Sequence, residues 1–223
     1  EYPSGLVRAF YDVARAAGIA LIVDETYRDF DSRTDLQADG TTPAPHDLFQ
    51  QDGWEETFVH LYSFSKAYRL TGHRVGAIAA GPARLTEVEK FLDTVAICPG
   101  QIGQYAALWG VENLSDWVAG ERREILARRA AIHDGFPVLK AEGWQLLGLG
   151  AYFAYVAHPF AMSSAELAPH LVKAAGILCL PGTMFCPPDD PSGAAHLRIA
   201  FANLDAGGIA DLFQRLAHLD LPT

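Results

Sequence analysis

Ile19-Ala20-Leu21-Ile22-Val23-Asp24-Glu25-Thr26-Tyr27 sets the reading of the whole chain. Five apolar residues run without a break and stop at once on a carboxylate. A continuous run of that kind reads as a strand covered on both faces in a parallel sheet, because a half-solvated strand would alternate. Upstream, Ser4 can cap a helix over residues 5–17 that sets Leu6, Phe10, Val13, Ala14 and Ala17 on one face, and Gly18 ends it. Downstream, residues 31–53 are dense in Gly, Pro, Asp and Gln and read as a long loop. A second strand, Thr57 to Tyr62, again runs into polar residues, Ser63-Phe64-Ser65-Lys66. A third, Val75 to Ala80, stops at Gly81-Pro82 and leads into a helix from Ala83 to Val95. Polar clusters at the carboxyl ends of strands are where open α/β sheets bind ligands.

Further along, helical patterns cover Gln101 to Val111 and then Leu114 to Glu142, with Pro137 set to kink or end the second. After Gly143 the texture changes. Trp144–Leu147, Tyr152–Ala157 and Leu197–Phe201 read as strands, and Ala165–Ala175 and Ile209–Leu219 as helices. We expect an α/β unit over 1–120 and a smaller α+β unit over 121–223, divided within the long helix. Gly148-Leu149-Gly150-Ala151-Tyr152 fits either a bulged turn or a strand whose small residues leave room for a ligand.

Composition narrows the function. Half of the 223 residues are apolar and the net charge is −10, as in an ordinary globular protein. The densest basic run, Arg122-Arg123 with Arg128-Arg129, alternates with Glu121 and Glu124 and reads as a solvated helix face. Nucleic-acid binding is disfavoured on that pattern. No stretch is apolar and long enough to read as a membrane span, and no signal peptide is visible. Cys98, Cys179 and Cys186 have neither metal-ligand nor CxxC spacing, which suits free thiols and no metal in a reducing cytoplasm.

Two clusters carry chemistry. Asp24, directly after the apolar run, is expected to be buried and to need a cation or several donors to stay ionised. Lys66 closes the second strand behind two hydroxyl residues, where desolvation favours the neutral amine, a nucleophile toward carbonyls. Ser63, Ser65 and Arg74 supply hydroxyls and a planar fork suited to a phosphate. The same residues also fit plainer roles. Asp24 could cap a turn, Lys66 could be a loop lysine, and Arg198 could be half of a buried ion pair. His73 lines the same loop, and His158 and His170 read as surface or strand-end residues.

Ser63-Phe64-Ser65-Lys66 followed by Gly72-His73-Arg74-Val75-Gly76 is similar to the Schiff-base segment of class I/II (fold type I) aminotransferases. Asp24-Glu25-Thr26-Tyr27 resembles the family's Asp-x-x-Tyr element. Leu180-Pro181-Gly182-Thr183-Met184-Phe185 and His196-Leu197-Arg198-Ile199-Ala200-Phe201 extend the likeness over nearly the whole chain. The resemblance implies the C-terminal portion of a fold type I enzyme: part of a mostly parallel large-domain sheet with helices on both faces, plus a smaller α+β domain. It implies pyridoxal 5'-phosphate as cofactor and transamination between an L-amino acid and a 2-oxo acid. Lys66 would hold the cofactor as a Schiff base and shuttle the proton. Asp24 would face the ring nitrogen, Tyr27 the phenolate oxygen, and Ser63, Ser65 and Arg74 the phosphate. Arg198 would bind the substrate α-carboxylate.

The family's Asn-Pro-Thr-Gly segment and glycine-rich phosphate loop have no match here. We expect a truncated chain that binds the cofactor poorly alone, from a parent that is a homodimer. Two other readings keep the same residues. One is a C–S lyase or decarboxylase of the same fold. The other is the effector-binding domain of a transcription regulator. With no second cation assignable to a dicarboxylate side chain, neutral or aromatic amino acids are favoured.

Overall fold

Leu21–Asp24 (β1) and Phe58–Ser63 (β2) lie side by side in parallel, Leu21 opposite Phe58 and Asp24 opposite Leu61. Gly76–Ala79 (β3) returns antiparallel along β2, Ser63 opposite Gly76. The link from Ser63 to Gly76 is a turn-rich segment without a crossover helix, so the third strand cannot run parallel. The sheet of this unit is therefore mixed. The computed structural model describes residues 1–32 and 44–221, and part of the loop expected over 31–53 lies outside them. Two compact units result, Glu1–Arg122 and Arg123–Thr223.

In the first unit, Ser4–Ala16 (α1) lays Tyr11 and Ala14 inward. Tyr11, Leu48 and Phe58 are fully buried together, with Val7, Val23 and Trp54 packed against them. Pro82–Val95 (α2) and Gln101–Asn113 (α3) follow β3. Phe64, Val75 and Ala107 form a second small core. Three expectations are corrected. The helix face expected to be buried is largely open: Leu6, Phe10 and Val13 are exposed, Val13 to 68%. β1 alternates instead of being covered twice, with Ile22 62% exposed. Among the described residues nothing covers that side. Ser4 is the first helical residue and Pro3 the N-cap, without a side-chain cap.

Ser115–Gly135 (α4) contains the division between the units. Pro137 then opens a new helix, Pro137–Ala141 (α5), as the missing N–H and fixed φ of proline dictate. Gln145–Gly150 (β4), Phe153–Ala157 (β5), Ser164–Ala175 (α6), Leu180–Pro181 (β6), His196–Ala200 (β7) and Ala206–Ala217 (α7) complete the second unit. Its sheet runs β4-β5-β7-β6, antiparallel throughout. Ser163 and Glu166 form a reciprocal cap at the start of α6, and Gly176 ends it in the left-handed region. Leu197 and Ile199 point into a core with Trp144, Leu167, Leu171, Ile209 and Leu216. His196 and Arg198 take the alternate positions of β7 and face the other way.

One of two open alternatives is met, and two smaller readings change. The register shift between Leu146 and Gly148 is a bulge in β4. The basic run is not simply solvated: Arg122 is buried and donates to the Asp31 carbonyl at 2.6 Å, and Arg129 reaches the Leu149 carbonyl. His158 follows β5 but is buried, 3.1 Å from the Ala194 carbonyl, and burial holds its imidazole below the ordinary value.

Candidate functional site

The parallel pairing of β1 and β2 sets both polar strand ends side by side. The Glu25 N–H donates to the Leu61 carbonyl at 2.8 Å, so the turn after β1 starts level with Tyr62 and Ser63. Asp24 is exposed here, not buried, because the sheet face that carries Ile22 and Asp24 is open. Its Oδ1 accepts from the Thr26 N–H at 3.0 Å and the Thr26 hydroxyl at 2.6 Å. Those two donors fix the carboxylate at the strand end. Oδ2 has no donor among the described residues. Tyr27 is half-buried, and its ring lies 5.8 Å from the Lys66 Nζ.

After β2 the chain turns tightly. The Ser65 N–H donates to the Ser63 Oγ at 3.3 Å, and the Thr71 hydroxyl to the Ser65 carbonyl at 2.9 Å. Arg74 adopts a left-handed conformation, φ 52°. From there its Nη1 donates to the Thr71 carbonyl at 2.9 Å and to the Ser65 Oγ at 3.4 Å. A non-glycine residue held in that region costs of order 1 kcal/mol and is sustained by its surroundings. Because the Ser65 oxygen accepts from Arg74, its hydroxyl proton is free to donate elsewhere. Gly76 is required next: a Cβ there would lie 2.7 Å from the Tyr62 carbonyl oxygen. Asp24, Tyr27, Ser63, Ser65, Lys66 and Arg74 thus share one edge of the first unit. A cleft of about 830 Å³ lies beside β3 and α2 and is lined mostly by apolar side chains such as Ile78, Leu92 and Ile97. It includes Arg74 but not Lys66, so volume alone does not mark the chemistry.

Behind this edge sits a buried cluster that sequence reasoning missed. Glu25 meets the Nε2 of His46 and of His60, each at 2.8 Å, and Arg28 at 3.2 Å. Burial alone would raise its pKa. Hydrogen bonds from His46 and His60, with the charge of Arg28, prevail and hold it at about 2. On the same side the Tyr62 hydroxyl donates to Asp29 at 2.7 Å, and burial raises both groups above their ordinary values. The available signal was the parity of the strand: if Asp24 faces one way, Glu25 faces the other.

Arg198 lies in the second unit, in the middle of β7, opposite Tyr155 on one side and Leu180 on the other. Its guanidinium carbon is 4.5 Å from the ring centre of Phe153 and 4.3 Å from that of Phe185. Among the described residues it pairs with no carboxylate, and its buried Nε has no acceptor. A cation so placed is open to an anion from outside.

The family model for class I and II aminotransferases matches residues 2–216. An aromatic aminotransferase of Arabidopsis thaliana is 27% identical over 220 residues, covering 96% of this chain and 49% of that protein. An aspartate aminotransferase of Sulfolobus acidocaldarius is 22% identical over 211 residues, covering 92% of this chain and 49% of that one. Among solved structures, an N-succinyldiaminopimelate aminotransferase of Mycobacterium tuberculosis superposes with a TM-score of 0.73 at 26% identity, covering 94% of this chain and 52% of its own. Substrate-bound BacF from Bacillus subtilis gives 0.80 at 20% identity, covering 99% of this chain and 53% of its own. The chain spans about half the length of the relatives it matches.

Proposed function

This chain belongs to the class I and II aminotransferase family and has its fold type I architecture, and on that premise we propose that the full-length protein is a pyridoxal-phosphate-dependent aminotransferase. It would move an amino group between an L-amino acid and a 2-oxo acid. The observation that carries the reading is the shared strand edge. An amine, a phenol, two serine hydroxyls and a guanidinium lie along it with a carboxylate whose Oδ2 has no donor among the described residues.

The donor set suits the cofactor. Ser63, Ser65 and Arg74 would hold the phosphate, Arg74 with the planar fork that matches phosphate oxygens. Tyr27 would donate its hydroxyl proton to the phenolate oxygen, and Asp24 Oδ2 would hold the proton of the ring nitrogen. When bound, the protonated ring supplies an electron sink for the charge left at the substrate Cα. Lys66 would bind the cofactor through its Nζ, and the freed amine would take the Cα proton and return it, acting as base and then acid. Arg198 would bind the α-carboxylate and fix the orientation of the substrate. Neutral or aromatic amino acids remain the favoured substrates, since no second cation is assigned to a side-chain carboxylate. The names of the relatives include both aspartate and aromatic amino acids. A homodimer and a cytoplasmic location complete the reading. The three cysteines are unpaired, and no helix among the described residues is long and apolar enough to cross a membrane.

The test is turnover by the full-length protein with paired amino and 2-oxo acids. Amino-acid consumption that depends on the oxo acid and releases no ammonia supports transamination. Release of ammonia with pyruvate, or of carbon dioxide, replaces it with the lyase or decarboxylase reading.

A further inference from the structure

Arg198 lacks the partners that usually anchor an arginine on a strand. Among the described residues it has no carboxylate beside it and no acceptor for its buried Nε, and two aromatic ring centres lie within 4.5 Å of its guanidinium carbon. The rings come from different places. Phe153 is the first residue of β5, held in the sheet by pairing with Ala200, two positions along β7 from Arg198. Phe185 follows the short helical turn Gly182–Met184 and is 44% exposed. That turn is fixed in turn by Gly182, where a Cβ would lie 2.6 Å from the Gly193 carbonyl oxygen.

We propose that Phe153 and Phe185 are positioning residues that hold the Arg198 guanidinium for an incoming carboxylate. The proposal rests on the carboxylate role of Arg198 given above. A cation near the face of an aromatic ring is attracted to it, and the attraction grows when water is excluded. A ring offers the guanidinium no hydrogen-bond acceptor, so it restrains the group without occupying its N–H donors. A carboxylate from the protein in the same place would use those donors and compete with substrate. The rings leave them for the two oxygens of an α-carboxylate, the two-pronged contact that a guanidinium makes best. The effect should appear in substrate affinity more than in the chemical step.

The test compares Phe185→Leu and Phe185→Tyr in the full-length enzyme, with Phe153→Leu alongside and Arg198→Ala as reference. Each is assayed on an amino acid and on the corresponding primary amine, which lacks the carboxylate. Phe185→Leu keeps apolar bulk and removes the ring. It is expected to raise KM for the amino acid and the oxo acid about tenfold, change kcat less than about threefold, and leave kcat/KM for the amine unchanged. Phe185→Tyr should restore the normal KM. An equal loss on amino acid and amine, or a failure of tyrosine to rescue, would overturn the positioning role. A normal KM in both leucine variants, with Arg198→Ala impaired, would overturn it while leaving the role of Arg198 intact. A normal KM in Arg198→Ala would remove the reading beneath it.

Discussion

Glu25 and His60 meet at 2.8 Å across two neighbouring parallel strands, the carboxylate from the turn after β1 and the imidazole from within β2. The pair is buried directly behind Asp24. Through His60 it ties the turn after β1, which carries Tyr27, to the strand that ends at Ser63, and His46 and Arg28 close on the same carboxylate. The Leu48 N–H donates to the Nδ1 of His46 at 3.2 Å, so the proton of a neutral His46 sits on Nε2, facing Glu25.

This cluster makes stability acid-sensitive. Glu25 has a folded pKa of about 2 against an ordinary 4.5. Its contribution is present above about 4.5 and is lost as pH falls from there toward 2. Glu25→Gln is expected to cost roughly 1–3 kcal/mol near neutral pH, through the buried donors left poorly matched. It should also flatten the pH dependence of the denaturant midpoint across that acid window. An unchanged slope in the variant would mean that other carboxylates govern the acid limb.

Two glycines of the second unit should behave oppositely. A Cβ at Gly182 would lie 2.6 Å from the Gly193 carbonyl oxygen and 2.8 Å from that of His196, both backbone atoms. Gly182→Ala should therefore cost about 2–3 kcal/mol. Gly148 has open space around its missing Cβ. Gly148→Ala should stay within about 0.5 kcal/mol of the parent. Chemical denaturation of both variants reads the difference.

Leu197 and Leu178 make a similar contrast in burial. Leu197 is fully buried in the core of the second unit and Leu178 is 82% exposed. Leu197→Ala is expected to cost about 2–5 kcal/mol by leaving a cavity. Leu178→Ala should change stability by no more than about 0.5 kcal/mol. Equal effects in thermal unfolding would contradict the placement of this core.

Thiol labelling should separate the cysteines of this chain. Cys98 is exposed, whereas Cys179 is buried and its thiol is pushed up to about 11. Because the thiolate is the reactive form, Cys98 should react promptly near neutral pH and Cys179 only after unfolding. Mass mapping after a short alkylation pulse checks the order.

Local pattern made much of the fold legible. The apolar runs before Asp24 and Ser63 gave two strands to within two residues, and Pro137 marked where one helix stops and the next begins. Partnering was not legible. An apolar run cannot say whether its second face is covered, so Ile22, Phe10 and Val13 read as buried and are open. β6 is too short, at two residues with one a proline, to show a period. In the candidate site, the residues at strand ends stood out because hydroxyls, Lys66 and Arg74 interrupt apolar runs. Glu25, His46 and His60 did not, because their meeting depends on strand pairing and on a contact between distant segments. The rings beside Arg198 stayed hidden for the same reason, since Phe153 and Phe185 are far from it in sequence.

The most direct measurement is borohydride reduction after addition of pyridoxal phosphate to the full-length protein and to this chain, with the modified peptide mapped by mass spectrometry. A pyridoxyl group on Lys66 of the full-length protein is the expected result, with little or none on the chain alone. A label on another lysine of the full-length protein, or no label at all, would contradict the assignment of Lys66 as the cofactor-binding amine.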